Sequence, residues 1–304
     1  MKIIVTGSNG LIGSALVSSL VADGQSVTRL VRGSSAQSPQ DQSTRAVQWN
    51  PENGSIDAGE LEGHDAAVHL AGESVADGRW TDEKKKRIRD SRLKGTRLLT
   101  ETLARLAARP VVLVCASAIG FYGNRGAEVL REDSAPGSDF LSEVCRAWEA
   151  AAEPARQSGM RVVNLRIGVV LSDHGGALAK MLTPFKMGVG GKIGSGDQYM
   201  SWIALDDIVG AIKHAITNES LDGPVNGVAP RPVTNAEFTK ALGGVLGRPT
   251  LFPVPAFAAR LAFGEMADAL LLSSARVEPA QLQSTDYRFS YPELEGALQH
   301  ILHK

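Results

Sequence analysis

Lys2-Ile3-Ile4-Val5-Thr6-Gly7-Ser8-Asn9-Gly10-Leu11-Ile12-Gly13 decides the fold. A β-branched run predicts a strand, a glycine-rich turn follows, and Leu16, Val17, Leu20 and Val21 then recur at helical spacing. Glycines at 7, 10 and 13 suit a backbone that turns tightly and approaches a pyrophosphate, the last one letting the helix pack on its strand. The start of such a helix offers free N–H groups and a partial positive charge to phosphates. The pattern G-x-x-G-x-x-G alone also describes an ordinary turn. Its place between a strand and a helix is what points to nucleotide binding.

From this stretch outward, strands and helices alternate. Val27–Val31 reads as a second strand, Asp65–Gly72 as another ending in small residues, and Val111–Ala116 and Val162–Leu165 as apolar strands. Thr81 caps a predicted helix through Arg92, Leu98, Leu99, Leu103 and Leu106 continue at helical spacing, and a helix is expected over about Phe140–Ser158. The repetition predicts an α/β fold, a doubly wound parallel Rossmann sheet with ligands at the carboxyl ends of its strands. That domain is expected over residues 1–170, its sheet completed by parts of 199–230. A small C-terminal α/β lobe on the substrate side is expected over 171–304. In the lobe, Gly188–Gly196 reads either as a mobile loop near a ligand or as a linker. Thr234-Asn235-Ala236-Glu237 is a capping box. Further helices are predicted over about Ala256–Leu272 and Tyr291–Leu302.

With 304 residues, 43% apolar and 21% charged, the chain has the composition of an ordinary protein with a sizeable core. A net charge of −1 gives no reason to expect nucleic acid or an anionic membrane as partner. The run Lys84-Lys85-Lys86-Arg87 reads as a solvated helix face. Cys115 and Cys145, the two cysteines, lack metal-ligand spacing, which suits a reducing compartment and predicts no metal site. No signal peptide precedes the first strand and no apolar stretch is long enough to span a bilayer, so the expected location is cytoplasmic.

The end of the second strand reads Leu30-Val31-Arg32-Gly33-Ser34-Ser35, with no carboxylate before Asp41. A dinucleotide fold that takes NAD wants an acidic group there for the ribose 2′-hydroxyl, whereas a guanidinium suits the 2′-phosphate of NADP. NADP(H) is the expected cofactor, with Arg32 on its 2′-phosphate.

With these residues in view, the chain resembles the epimerase-family branch of the extended and atypical short-chain dehydrogenase/reductase superfamily. The motifs that carry the likeness are Thr6–Gly13, His69-Leu70-Ala71-Gly72-Glu73, Ser91–Thr96, Ser117–Gly123, Trp148-Glu149, Gly194–Asp207 and Asn226–Pro230, with a family-specific tail over about 249–304. The resemblance implies a Rossmann sheet, a nicotinamide cofactor and a small C-terminal lobe. It also implies that Gly7, Ser8, Asn9, Gly10, Leu11 and Ile12 hold the pyrophosphate. Leu70, Ala71, Gly72 and Glu73 would run beside the adenosine and ribose, Lys86 and Ser91 would face the cofactor, and Val169 would lie near the nicotinamide.

Dehydrogenases and epimerases of this superfamily pair a tyrosine with a lysine four residues on, so that one helical turn puts both on the same face. Here Gly126, Ile203, Tyr291 and Glu295 stand four residues beyond Tyr122, Tyr199, Tyr287 and Tyr291, so the pair is absent. By spacing, its place is taken by Leu141 and Cys145, or by Cys145 and Glu149. Ser117, Tyr122 and Glu149 remain as candidate catalytic residues. Glu149 serves either as an acid beside Trp148 or as a structural partner of Arg166. Two functions follow: an NADP(H)-dependent oxidoreductase on a small carbonyl, hydroxyl or sugar-nucleotide compound, or a non-catalytic NADPH-binding regulator. His69 and Trp202 are expected in the core.

Overall fold

The computed structural model describes residues 1–33 and 43–303. Ser34, Ser35 and Asp41, part of the reading of the second strand's end, lie outside the described residues. The first half runs β1 (Lys2–Thr6), α1 (Leu11–Ala22), β2 (Ser26–Val31), β3 (Thr44–Asn50), β4 (Ser55–Ile56), β5 (Ala66–His69), α2 (Asp82–Arg105), β6 (Val112–Ala118), β7 (Val129–Leu130), α3 (Phe140–Ala150), α4 (Glu153–Gln157) and β8 (Arg161–Ile167). The rest runs β9 (Val169–Leu171), α5 (Gly176–Lys186), β10 (Tyr199–Met200), β11 (Trp202–Ala204), α6 (Leu205–Thr217), β12 (Gly223–Gly227), β13 (Val233–Thr234), α7 (Asn235–Leu246), α8 (Ala256–Phe263), β14 (Arg276–Val277), α9 (Ala280–Ser284) and α10 (Leu294–Leu302).

Eight strands form one sheet in the order β12-β8-β6-β5-β1-β2-β3-β4, all parallel except the β3–β4 edge pair. Side chains alternate across it. Ile3 and Val5 face one core with Leu16 and Leu20 of α1 and Ile208 and Ile212 of α6. Ile4, Ala67 and Leu113 face the other, with Leu99 and Leu103 of α2 and Trp148 of α3. Helices therefore cover both faces, as a parallel sheet requires. β12 pairs with β8 at the far edge, bringing residues well beyond 170 back into the sheet.

The structure departs from the sequence reading in local detail. Thr81 caps α2 by accepting from the Lys84 amide, and the helix continues unbroken to Arg105. The helix expected over Phe140–Ser158 is two, α3 and α4, with Pro154 in the first turn of the second. Gly264 at φ +63° ends α8, and a short π turn over Ala267–Leu271 replaces the rest of the expected helix. β3, overlooked in the sequence, buries only alternate residues, Val47 and Trp49.

A third core under the lobe packs Trp202, Phe238, Leu182 and Leu298 together. The Gly194–Asp207 motif serves this lobe. Gln198 donates to the carbonyls of Ile193 and Leu271, and buried Asp207 accepts from the amides of Ser290 and Tyr291. Gly190 and Gly191 sit where a Cβ would strike the Phe185 ring and the Phe252 carbonyl, so the glycines of that loop serve close packing.

Candidate cofactor and active site

The loop between β1 and α1 is built by contact rather than by freedom alone. Gly7 has φ +67°, and a Cβ there would lie 2.7 Å from the Leu70 carbonyl carbon, so β1 and β5 meet at their carboxyl ends only with glycine. A Cβ on Gly13 would lie 2.1 Å from the Gly7 oxygen, which keeps α1 tight against the loop. Thr6 joins the two strand ends: its Oγ1 accepts from the amides of Leu70 and Ala71 and lies 2.8 Å from His69 Nδ1. This residue, read in the sequence as part of the Thr6–Gly13 motif but given no role, therefore positions the turn expected to carry the ribose. Two amides donating to Oγ1 leave its own proton for His69 Nδ1. His69 is then a neutral core imidazole, its pKa lowered by burial to about 4.

The cradle has the features of an anion site. α1 has no side-chain cap and no acidic residue in its first turn, so the amides of Leu11, Ile12 and Gly13 are uncapped. Ser8 is buried, yet its Oγ has no hydrogen-bond partner. A buried hydroxyl without a partner costs about 1–3 kcal/mol, and an acceptor brought to this loop would relieve it. Asn9 and Gly10 are exposed and Leu11 and Ile12 half-buried at the mouth of the loop, and Arg32 is exposed at the end of β2. A dinucleotide fits these residues.

Beyond β5, Leu70 and Ala71 are half-buried and Gly72 is exposed. Glu73 turns to α2. Its carboxylate pairs with Lys84 Nζ at 2.9 Å, which lowers its pKa, and its amide donates to Ser91 Oγ at 3.0 Å. Ser91 thus braces the strand-end turn. Lys86 stands about 140° around the helix from Ser91, exposed beside Asp82, Lys85, Arg89 and Phe140. The structure does not bring it together with the others. Val169 is half-buried in β9, its amide bonded to the Ser201 carbonyl.

The three candidate catalytic residues converge on one buried network. Ser117, at the end of β6, donates to Glu149 Oε1 at 2.7 Å. Arg166, at the end of β8, grips both carboxylate oxygens, Nε to Oε1 at 2.9 Å and Nη2 to Oε2 at 3.0 Å. Its Nη1 donates to the Tyr122 hydroxyl and the Glu132 carbonyl, and Tyr122 donates to Asn226 Oδ1 at 2.7 Å. Glu132 Oε1 in turn accepts from the amides of Asn226 and Gln281. The Phe121 ring lies 3.4 Å from the Arg166 guanidinium carbon. Burial pushes the Tyr122 phenol up to about 12 despite Arg166 beside it.

Tyr122 is fully buried and directed into this network, not toward a cleft where it would border a substrate. Both oxygens of Glu149 already have donors, which is the geometry of a structural partner. Ser117 and Glu149 nevertheless sit where β6 and α3 meet, at the carboxyl edge of the sheet. Glu132 went unnoticed in the sequence, and Asn226 was read only as part of a motif, because 94 residues separate the two. Among the described residues no cluster of histidine, cysteine or carboxylate side chains has the make-up of a metal site, and no helix is long and apolar enough to cross a membrane.

Comparison with known proteins bears on the fold and the family. Residues 3–226 match the NAD-dependent epimerase/dehydratase family, and residues 254–301 match a domain of unknown function, DUF1731. Over 296 residues the chain is 44% identical to an epimerase family protein of Mycobacterium bovis, covering 97% of this chain and 96% of that one. It is 36% identical to the human epimerase family protein SDR39U1 over 305 residues, 99% of this chain and 100% of that one. The crystal structure of that human protein (isoform 2) with NADPH matches with a TM-score of 0.90 at 36% identity, covering 100% of this chain and 99% of that one. The fold, the glycine cradle and the match over most of the length agree, and the chain belongs to the NAD-dependent epimerase/dehydratase family.

Proposed function

We propose that this protein binds NADP(H) in the Gly7–Gly13 cradle and acts as an oxidoreductase on a small carbonyl or hydroxyl compound without a Tyr-x-x-x-Lys pair. The observation that carries the binding is the buried, unpartnered Ser8 hydroxyl at the uncapped start of α1. The human relative crystallised with NADPH supports the choice of cofactor, and Arg32 is the residue that would take the 2′-phosphate. Two reduced, buried cysteines accord with a cytoplasmic setting.

When bound, the nicotinamide supplies or accepts hydride. The chain's own part is orientation and proton movement. A substrate hydroxyl would donate to Ser117 Oγ as Ser117 passes its proton along the 2.7 Å bond to Glu149 Oε1; reduction runs the same path in reverse. Arg166 fixes the carboxylate for this exchange, and Tyr122 and Asn226 fix Arg166.

One observation favours a second reading, a non-catalytic NADPH-binding regulator. Ser117 and Arg166 already satisfy Glu149, and Tyr122 is sealed. Incubating the protein and nicotinamide-deuterated NADPH with a cell extract, followed by untargeted mass spectrometry, separates the two. Deuterium in one metabolite, lost with Ser117→Ala, supports the oxidoreductase. NADPH binding without label in any metabolite of that extract overturns it and leaves the regulator, or an epimerase that returns the hydride to its own substrate.

A further inference from the structure

α2 carries a cation that neither the sequence reading nor the ion pairs described above account for. Arg92 is half-buried, and its Nη1 donates to the carbonyls of Glu73 and Ile88, each at 3.0 Å. The guanidinium carbon lies 4.9 Å from the Trp148 ring, within cation–π range. A Cβ on Gly72 would lie 3.4 Å from that same carbon, so the group rests directly against the strand-end turn beyond β5. Among the described residues Nε and Nη2 have no hydrogen-bond partner, and neither is an enclosed orphan. Neither donor is therefore sealed off, although burial of the group lowers the Arg92 pKa.

The surroundings give these donors a purpose. Leu141 and Cys145 of α3 face the turn after Ser117, since a Cβ on Gly120 would lie 3.2 Å from Leu141 Cβ and 3.9 Å from Cys145 Sγ. In one of the two alignments considered above, those positions hold the tyrosine and lysine of the resembling superfamily. Here they hold a hydrocarbon and a thiol, which burial and the Glu149 charge push up to about 12 while Arg92 pulls it down. Neither of these α3 positions holds a cation, and α2 brings one.

We infer that Arg92 is the cofactor-binding cation of the nicotinamide half of the site, its Nε and Nη2 donating to oxygens of the nicotinamide ribose. The inference rests on the NADP(H) reading above. Two carbonyls and an indole hold the group in place, so little side-chain freedom remains to be lost on binding. A guanidinium stays protonated at any working pH, so Arg92 binds and orients but does not shuttle protons. Gly72 has no side chain to stand between them.

Isothermal titration of wild type, Arg92→Met, Arg92→Gln, Arg92→Lys and Arg32→Ala with two ligands tests this. One ligand is NADPH; the other is adenosine 2′,5′-bisphosphate, which has the 2′-phosphate half but no nicotinamide riboside. Arg92→Met is expected to weaken NADPH about 10- to 100-fold, the range of hydrogen bonds from a charged donor, and to leave the bisphosphate unchanged. Arg92→Lys recovers part of the loss, and Arg32→Ala weakens both ligands. Retained bisphosphate binding also shows that a variant is folded. If Arg92→Met fails to fold, Arg92→Gln must show the same selective loss. Wild-type NADPH affinity in a folded Arg92 variant, or equal loss of both ligands in Arg92→Gln, overturns the inference and leaves the NADP(H) reading intact. Wild type that binds neither ligand overturns both.

Discussion

Replacing Arg166 by methionine tests whether the network beneath Ser117 holds the protein together. The Arg166 side chain is 5% exposed and Glu149 13%, so the change strands a carboxylate in a nearly closed site and also removes the donor of the Tyr122 hydroxyl and the Glu132 carbonyl. Breaking one side of a buried pair costs about 3–5 kcal/mol. At about 2–4 °C per kcal/mol for a large domain, melting is expected to fall by roughly 6–20 °C. Glu149→Gln in the same protein removes the stranded charge, so the double variant should melt above Arg166→Met alone. Differential scanning fluorimetry of the four proteins in one buffer reads the cycle. A fall of less than about 3 °C for Arg166→Met, or a double variant whose loss is the sum of the single losses, refutes a buried coupled pair and returns Glu149 to the role of a free acid.

Two other expectations concern the cradle. His69 has its pKa lowered to about 4 in the folded chain, against 6.5 in an unfolded one. Its share of stability is complete above pH 6.5 and is lost as pH falls toward 4, by about 3 kcal/mol in all; urea unfolding at pH 7 and pH 4.5 reads it, and a His69→Gln variant with the wild-type pH dependence disproves the assignment. Ser8→Ala removes an unpartnered hydroxyl, so melting should hold or rise slightly while NADPH binding weakens by about tenfold; lower melting with unchanged affinity means the hydroxyl serves the fold.

The two halves of the site differ in how they are written in the chain. The cofactor half is local. A strand, three glycines and a helix start fall within thirteen residues, and each glycine answers to a contact only a few residues or one strand away, so spacing alone locates the cradle. The overall sheet was legible for the same reason, since each strand and helix has its own period. β3 escaped because only Val47 and Trp49 of its seven residues turn inward among polar neighbours. The break between α3 and α4 was marked only by Pro154, which a helix also accepts in its first turn.

The candidate catalytic half is not local, and this is why sequence reasoning reached its residues but left Glu149 between an acid and a partner of Arg166. Ser117, Tyr122, Glu149 and Arg166 were visible as polar residues at strand ends and on a helix. What each one does depends on partners 32, 104, 17 and 44 residues away. A glutamate near a tryptophan looks like an acid with a raised pKa. The same glutamate with an arginine fork on both oxygens is a buried ion pair, and no property of residues 140–150 distinguishes the two. Arg92 is the converse case. On a helix rich in Lys and Arg it looks like one more solvated cation, and only the packing of Gly72 and Trp148 around it singles it out. A missing catalytic pair therefore does not by itself mean an empty site. On the two proposals above, the charge and the hydroxyl expected from one helix turn come from Arg92 of α2 and Ser117 of β6, which a search confined to the helix would not reach.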